Sequence, residues 1–246
     1  MSNFFSSSAK KAEKTELTLE PVGRRLFLRM AGAAAVTSSL LVAGCSKDPL
    51  TGEATTVGGA RLAASVDLGS GDVGILNYAY ALEQLEAAFY DMVVKNPYNG
   101  MSSDEMKILK SIRDHEVAHR EFFKAALGGA AIPGLEVDFS SVRFNDRISV
   151  LTTARAFEDL GVGAYNGAGK YIMTPEYLVL AGKIVSVEAR HASVIRYMLD
   201  MNTGHFAGTD VVDGNGLDRA YEPNYVLPIA QKYVKTTITA NSLITT

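Results

Sequence analysis

The sequence predicts an all-α protein, a four-helix bundle in up-down-down-up order with one long crossover. Three observations predict it. Four segments carry apolar residues at alternating steps of three and four, the spacing of one helical face. Each of those stripes is ionisable at its middle. Two of the connections between the segments are short and one is long.

The chain divides into residues 1–44, 45–71, 72–202 and 203–246, read as a leader, a tether, the bundle and a C-terminal extension. The leader places Arg24-Arg25-Leu26-Phe27-Leu28 before a mildly apolar Ala/Ser/Thr-rich stretch that ends Val42-Ala43-Gly44-Cys45. The paired arginines resemble a twin-arginine export signal, and the final tetrapeptide resembles a lipoprotein cleavage box. The expected mature protein therefore begins at a lipidated Cys45, held on a membrane and facing the periplasm or cell exterior. The stretch is too short and too weakly apolar to be a dependable span. Residues 51–71 are rich in Gly, Thr and Ser, lack periodicity and read as a tether.

The first helix is expected over 72–95, with the stripe Leu76, Ala79, Glu83, Glu86, Tyr90, Val93. Asn96-Pro97 breaks it. Ser102 and Glu105 form a capping box for the second helix, whose stripe is Leu109, Ile112, Glu116, His119, Phe123, Ala126, with Gly128-Gly129 at its end. The third begins near Asn145 and carries Leu151, Ala154, Glu158, Gly161, Tyr165, Ala168, Ile172. Thr174-Pro175 starts the fourth, with Tyr177, Ala181, Ile184, Glu188, His191, Ile195, Met198. Short links make each pair antiparallel. The link over 129–144 could extend to ~50 Å, longer than the ~36 Å of such a helix, so it can run the length of the bundle. A short fifth helix is expected over 223–235, and Asp213-Gly214-Asn215-Gly216 reads as a turn.

Composition narrows the chemistry. With Cys45 the single cysteine, an internal disulfide framework and a Cys-rich zinc or iron–sulfur site are excluded. A net charge of −3 gives no case for nucleic acid as a partner. The ligand chemistry available is oxygen and nitrogen, the latter from His115, His119, His191 and His205.

Two copies of Glu-x-x-His occur, Glu116/His119 and Glu188/His191, each with both side chains on one helical face. The other two helices each carry Glu-x6-Tyr, Glu83 to Tyr90 and Glu158 to Tyr165. A charge on a core stripe is costly unless paired or metal-bound. Four buried carboxylates need four positive charges, which two divalent ions supply, with one imidazole nitrogen for each. Mixed carboxylate and imidazole ligation suits iron or manganese. Tyr90 and Tyr165 are candidate catalytic residues, because their phenols can reach groups near the carboxylates and relay a proton or electron. Asp114 and Asp159 read as exposed helix acids, and His115 and His205 as surface residues, His115 facing away from its neighbouring ligand.

With Leu82-Glu83-Gln84-Leu85-Glu86, Asp114-His115-Glu116-Val117-Ala118-His119, Glu158-Asp159-Leu160-Gly161 and Glu188-Ala189-Arg190-His191 in place, the chain resembles ferritin-like proteins, specifically the exported bacterial branch related to desiccation-associated proteins. The resemblance spans about residues 67–202. It implies terminal ligands at Glu83 and Glu158, bridging ligands at Glu116 and Glu188, and nitrogen ligands at His119 and His191. Glu86, one turn beyond Glu83, competes for the place of first-helix ligand. The expected function is redox chemistry on oxygen, peroxide or ferrous iron under oxidative or desiccation stress. The alternative is a stress-protective lipoprotein whose bundle binds metal without turnover. A storage cage is weaker, since a lipid tether makes closed assembly awkward, and homo-oligomerisation stays open.

Overall fold

Local sequence signals set the helix ends. The computed structural model describes residues 65–243 with the exception of 202. The leader over 1–44, Cys45 and the tether as far as 64 lie outside the described residues. Helix α1 (Gly71–Lys95) ends at Asn96 before Pro97. Helix α2 (Ser103–Leu127) starts on a complete capping box, with the Ser102 hydroxyl accepting from the Glu105 amide and the Glu105 carboxylate from the Ser102 amide. It stops at Gly128, whose φ of 54° is open to a residue without Cβ. Helix α3 (Arg147–Ala168) is capped by Asp146, which accepts from the amides of Ile148 and Ser149. Helix α4 (Pro175–Leu199) follows Thr174, whose hydroxyl makes no cap bond. The preset φ of Pro175 at the first helical position marks that start instead.

Side-chain pairings give the directions. Tyr90 meets Glu158 while Tyr165 meets Glu83, so α1 and α3 run antiparallel. His119 meets Glu188 while His191 meets Glu116, so α2 and α4 are antiparallel as well. With the short α1–α2 and α3–α4 links, the order is up-down-down-up. The main packing is α1 on α2 and α3 on α4.

Burial exceeds the sequence stripe in α1, where 16 of 25 residues are buried against five in α2. The crossover between α2 and α3 explains the difference. It lies along the back of α1, where Asn77 donates to the carbonyls of Leu68 and Ala130 and accepts from the Ile132 amide. Gln84 accepts from the Leu135 amide further on. Phe139 and Phe144 of the crossover then meet fully buried Phe89, which also meets Phe157 edge-on.

The C-terminal segment also covers the bundle. Residue Tyr221 crosses α3 so closely that a Cβ on Gly167 would sit 1.9 Å from its carbonyl oxygen, and one on Gly163 2.1 Å from its ring. Both glycines are required by that crossing. Helix α5 (Pro223–Ala230) is followed by a 3-10 turn, so the fifth helix is shorter than the 223–235 expectation. The chain end closes a parallel pair, β1 (Ser65–Asp67) with β2 (Thr237–Thr239). Residues 65–67, read as tether, are thus held by a partner far along the chain. Among the described residues no helix is long and apolar enough to cross a membrane.

Candidate metal centre

The 3-4 spacing of the four stripes aims Glu83, Glu116, Glu158 and Glu188 at one point in mid-bundle, and all four are buried. The structure brings them together with both imidazoles in two quartets. One is Glu83, Glu116, His119 and Glu188, and the other is Glu116, Glu158, Glu188 and His191. Glu116 and Glu188 belong to both. In each quartet the candidate ligand atoms lie within 4.8 Å of one another. Bonds of ~2.1 Å place opposite ligands ~4.2 Å apart, so the spacing suits an ion at the centre.

The polar atoms themselves test that fit. Glu83 Oε2, both Glu116 oxygens, Glu158 Oε2, Glu188 Oε1 and His119 Nδ1 are buried without a hydrogen-bond partner. Several are close, His119 Nδ1 to Glu188 Oε1 and His191 Nδ1 to Glu116 Oε1 each at 2.7 Å. Buried polar atoms without a hydrogen-bond partner are rare and costly, and here they gather in one cluster. The donor set, four carboxylates and two imidazoles, is one for a hard or borderline divalent cation.

The tyrosines hold the outer oxygens. Tyr90 donates to Glu158 Oε1 at 2.5 Å, and Tyr165 donates to Glu83 Oε1. Each phenol reaches the carboxylate of the other helix and leaves its second oxygen to the cluster, where Glu83 Oε2 lies 3.5 Å from His119 Nδ1 and Glu158 Oε2 3.6 Å from His191 Nδ1. Burial and the nearby carboxylate charge push both phenol pKa values well above the usual range, so they remain donors.

The cluster balances its charge with protons. Burial, then the charge of Glu188, pushes the Glu83 carboxyl well above the usual range. Burial pushes Glu158 up to about 8. Burial works against the charge of Glu116 too, but the rings of His119 and His191 hold it down at about 2. The carboxylates overcome the burial of those rings and hold both imidazoles protonated to about 12. Two divalent ions would take the place of these protons.

Glu86 is buried beside the cluster but belongs to neither quartet. It leans on α3, where a Cβ on Gly161 would lie 3.0 Å from its Oε1. Glu83-x-x-Glu86 on α1 faces Glu158-x-x-Gly161 on α3, so the extra acid of one half fills the space left by the glycine of the other. Burial, then the charges of Glu116 and Glu158, pushes its carboxyl well up.

Two readings are corrected. Asp159 is not a free helix acid: both its oxygens accept from Arg196, at 2.7 and 2.8 Å, and Arg196 also pairs with Asp210. His115 is exposed as expected, but it does not face away, since its Nδ1 lies 2.9 Å from Nε2 of His191. Asp114 and His205 are exposed as expected. The loop at Asp213 is a turn, its carboxylate accepting from the amides of Asn215 and Leu217.

A buried carboxylate–imidazole cluster shared among the four helices defines a candidate metal site in a helical bundle. The sequence matches the model of the ferritin-like domain over residues 71–201, and the chain belongs to that family. No curated protein matches it in sequence.

Proposed function

We propose that the bundle binds two divalent metal ions, iron or manganese, and uses them in redox chemistry on oxygen, peroxide or ferrous iron. The observation that supports this most is the pair of quartets sharing Glu116 and Glu188, whose buried oxygens include several without a hydrogen-bond partner. Glu83 and His119 would serve one ion, Glu158 and His191 the other, and Glu116 and Glu188 would bridge. Glu86 would remain a neighbour. A redox-active metal pair held there would supply one electron from each ion, the two that reduction of an O–O bond requires.

The chain's own residues do the rest. Tyr90 and Tyr165 fix the two outer carboxylates and keep O–H donors inside the cluster. The crossover and the C-terminal segment bury α1 and exclude water from its back. His119 keeps 14% of its side chain exposed, against 4% for His191. Residues 1–45 support an exported lipoprotein anchored through Cys45.

The reading is tested by loading metal-free protein with ferrous or manganous ion and following peroxide loss and ferrous oxidation. The loaded wild type should outpace the metal-free form, and Glu116→Ala should abolish the difference. A protein shown to hold two metals that turns over neither substrate would favour the stress-protective alternative. Cys45→Ala expressed in an exporting host should leave the membrane fraction; retention there would contradict the anchor.

A further inference from the structure

The ligand candidates form a near-symmetric set, but their surroundings are not symmetric. His115 Nδ1 lies 2.9 Å from His191 Nε2, and the two rings are inclined by only 10° with centroids 5.1 Å apart. A nitrogen–nitrogen distance below the thickness of stacked rings means that they meet edge to edge, nearly in one plane. This is the arrangement of an N–H···N hydrogen bond. The opposite nitrogen of His191, Nδ1, faces Glu116, Glu158 and Glu188 at 2.7, 3.6 and 3.3 Å. On the other imidazole, Nδ1 of His119 also faces the carboxylates, but among the described residues nothing hydrogen-bonds to its Nε2.

We propose that His115 is a positioning residue for one of the two metal sites, accepting the Nε2 proton of His191 and so presenting the Nδ1 lone pair to an ion among Glu116, Glu158 and Glu188. A ligand imidazole must carry its proton on the nitrogen away from the metal, and a partner that accepts that proton fixes both tautomer and ring orientation. The consequence is a difference in affinity. The His191 site is buttressed and holds the first ion tightly; the His119 site, whose outer nitrogen has no hydrogen-bond partner among the described residues, holds the second more weakly. His115 itself touches no ion.

The inference rests on metal binding at the two quartets, and the test separates the two ideas. Metal-free full-length chain is titrated with manganous ion and, anaerobically, with ferrous ion, and stoichiometry and stepwise affinity are read by calorimetry. Wild type should bind two ions in two resolved steps. His115→Ala should weaken the first step by roughly 10- to 100-fold while leaving the second nearly unchanged. His115→Gln, whose amide oxygen can still accept, should recover much of that loss. Nitrogen-15 imidazole spectra of a zinc-loaded sample should show His191 protonated at Nε2 in wild type and in His115→Gln. Failure of wild type to bind any ion would overturn the metal reading and this one with it. Two-step binding that is unchanged in His115→Ala would overturn the role of His115 alone, as would equal weakening of both steps.

Discussion

The phenol of Tyr90 on α1 donates to the carboxylate of Glu158 on α3, at 2.5 Å. Tyr165 on α3 returns the same bond to Glu83 on α1. Each bond leaves one carboxylate oxygen for the centre of the bundle, so the two tyrosines act on different quartets. Tyr90→Phe should weaken binding at the His191 quartet and Tyr165→Phe at the His119 quartet. Each should also cost about 1–3 kcal/mol of stability, because a buried acceptor loses its donor. Metal titration and denaturant unfolding check both. Equal effects of the two variants on both binding steps would contradict the crossed assignment.

Metal binding should strengthen as pH rises. In the metal-free cluster His119 and His191 hold protons up to about 12 and Glu158 up to about 8, with Glu83 also raised. An ion must displace those protons, so acid opposes binding. Calorimetry in buffers of different ionisation enthalpy should show net proton release, and affinity should fall between pH 8 and pH 6.

The metal-free fold should respond in the opposite sense. Glu158, raised from 4.5 to about 8, keeps a proton in the folded chain that the unfolded chain has lost. Stability from that difference declines between those values. The imidazoles, raised from 6.5, contribute stability that is full below 6.5 and is lost toward about 12. Glu116, lowered to about 2, acts the other way only below 4.5. The thermal midpoint of metal-free protein should therefore fall from pH 6.5 to pH 9, while the loaded protein changes little. A rising midpoint in that range would contradict the charge balance described here.

The long elements and their ionisable midpoints were legible because helical spacing is a local property, and Glu-x-x-His keeps both groups on one face. What was not legible depends on a second helix or loop. Asp159 looked like a free acid because Arg196, its partner, lies on α4. His115 is exposed as read, but its contact with His191 was not legible, because adjacency to Glu116 says nothing about where His191 points its outer nitrogen. The depth of α1 came from Asn77 and Gln84, whose amides hold a crossover with no periodicity of its own. The glycines at 163 and 167 carried a signal, since two glycines four apart in a helix invite a close crossing, but only the fold shows that Tyr221 makes it.

Glu86 and Gly161 should be coupled. Gly161→Ala gains about 1 kcal/mol in helix propensity, but its methyl would stand 3.0 Å from Glu86 Oε1, so the net change should be near zero or unfavourable. In a Glu86→Ala background the contact disappears and the same change should stabilise. A double-mutant cycle by denaturant unfolding reads the difference, and strict additivity would contradict the packing.

The central claim is that two ions share Glu116 and Glu188. Anomalous diffraction from crystals of iron- or manganese-loaded protein, collected at the metal edge, tests it most directly. The account predicts two peaks about 3.5–4 Å apart, one beside Glu83 and His119 and one beside Glu158 and His191, both in contact with Glu116 and Glu188. A single peak outside the quartets, or none in protein saturated with either metal, would contradict it.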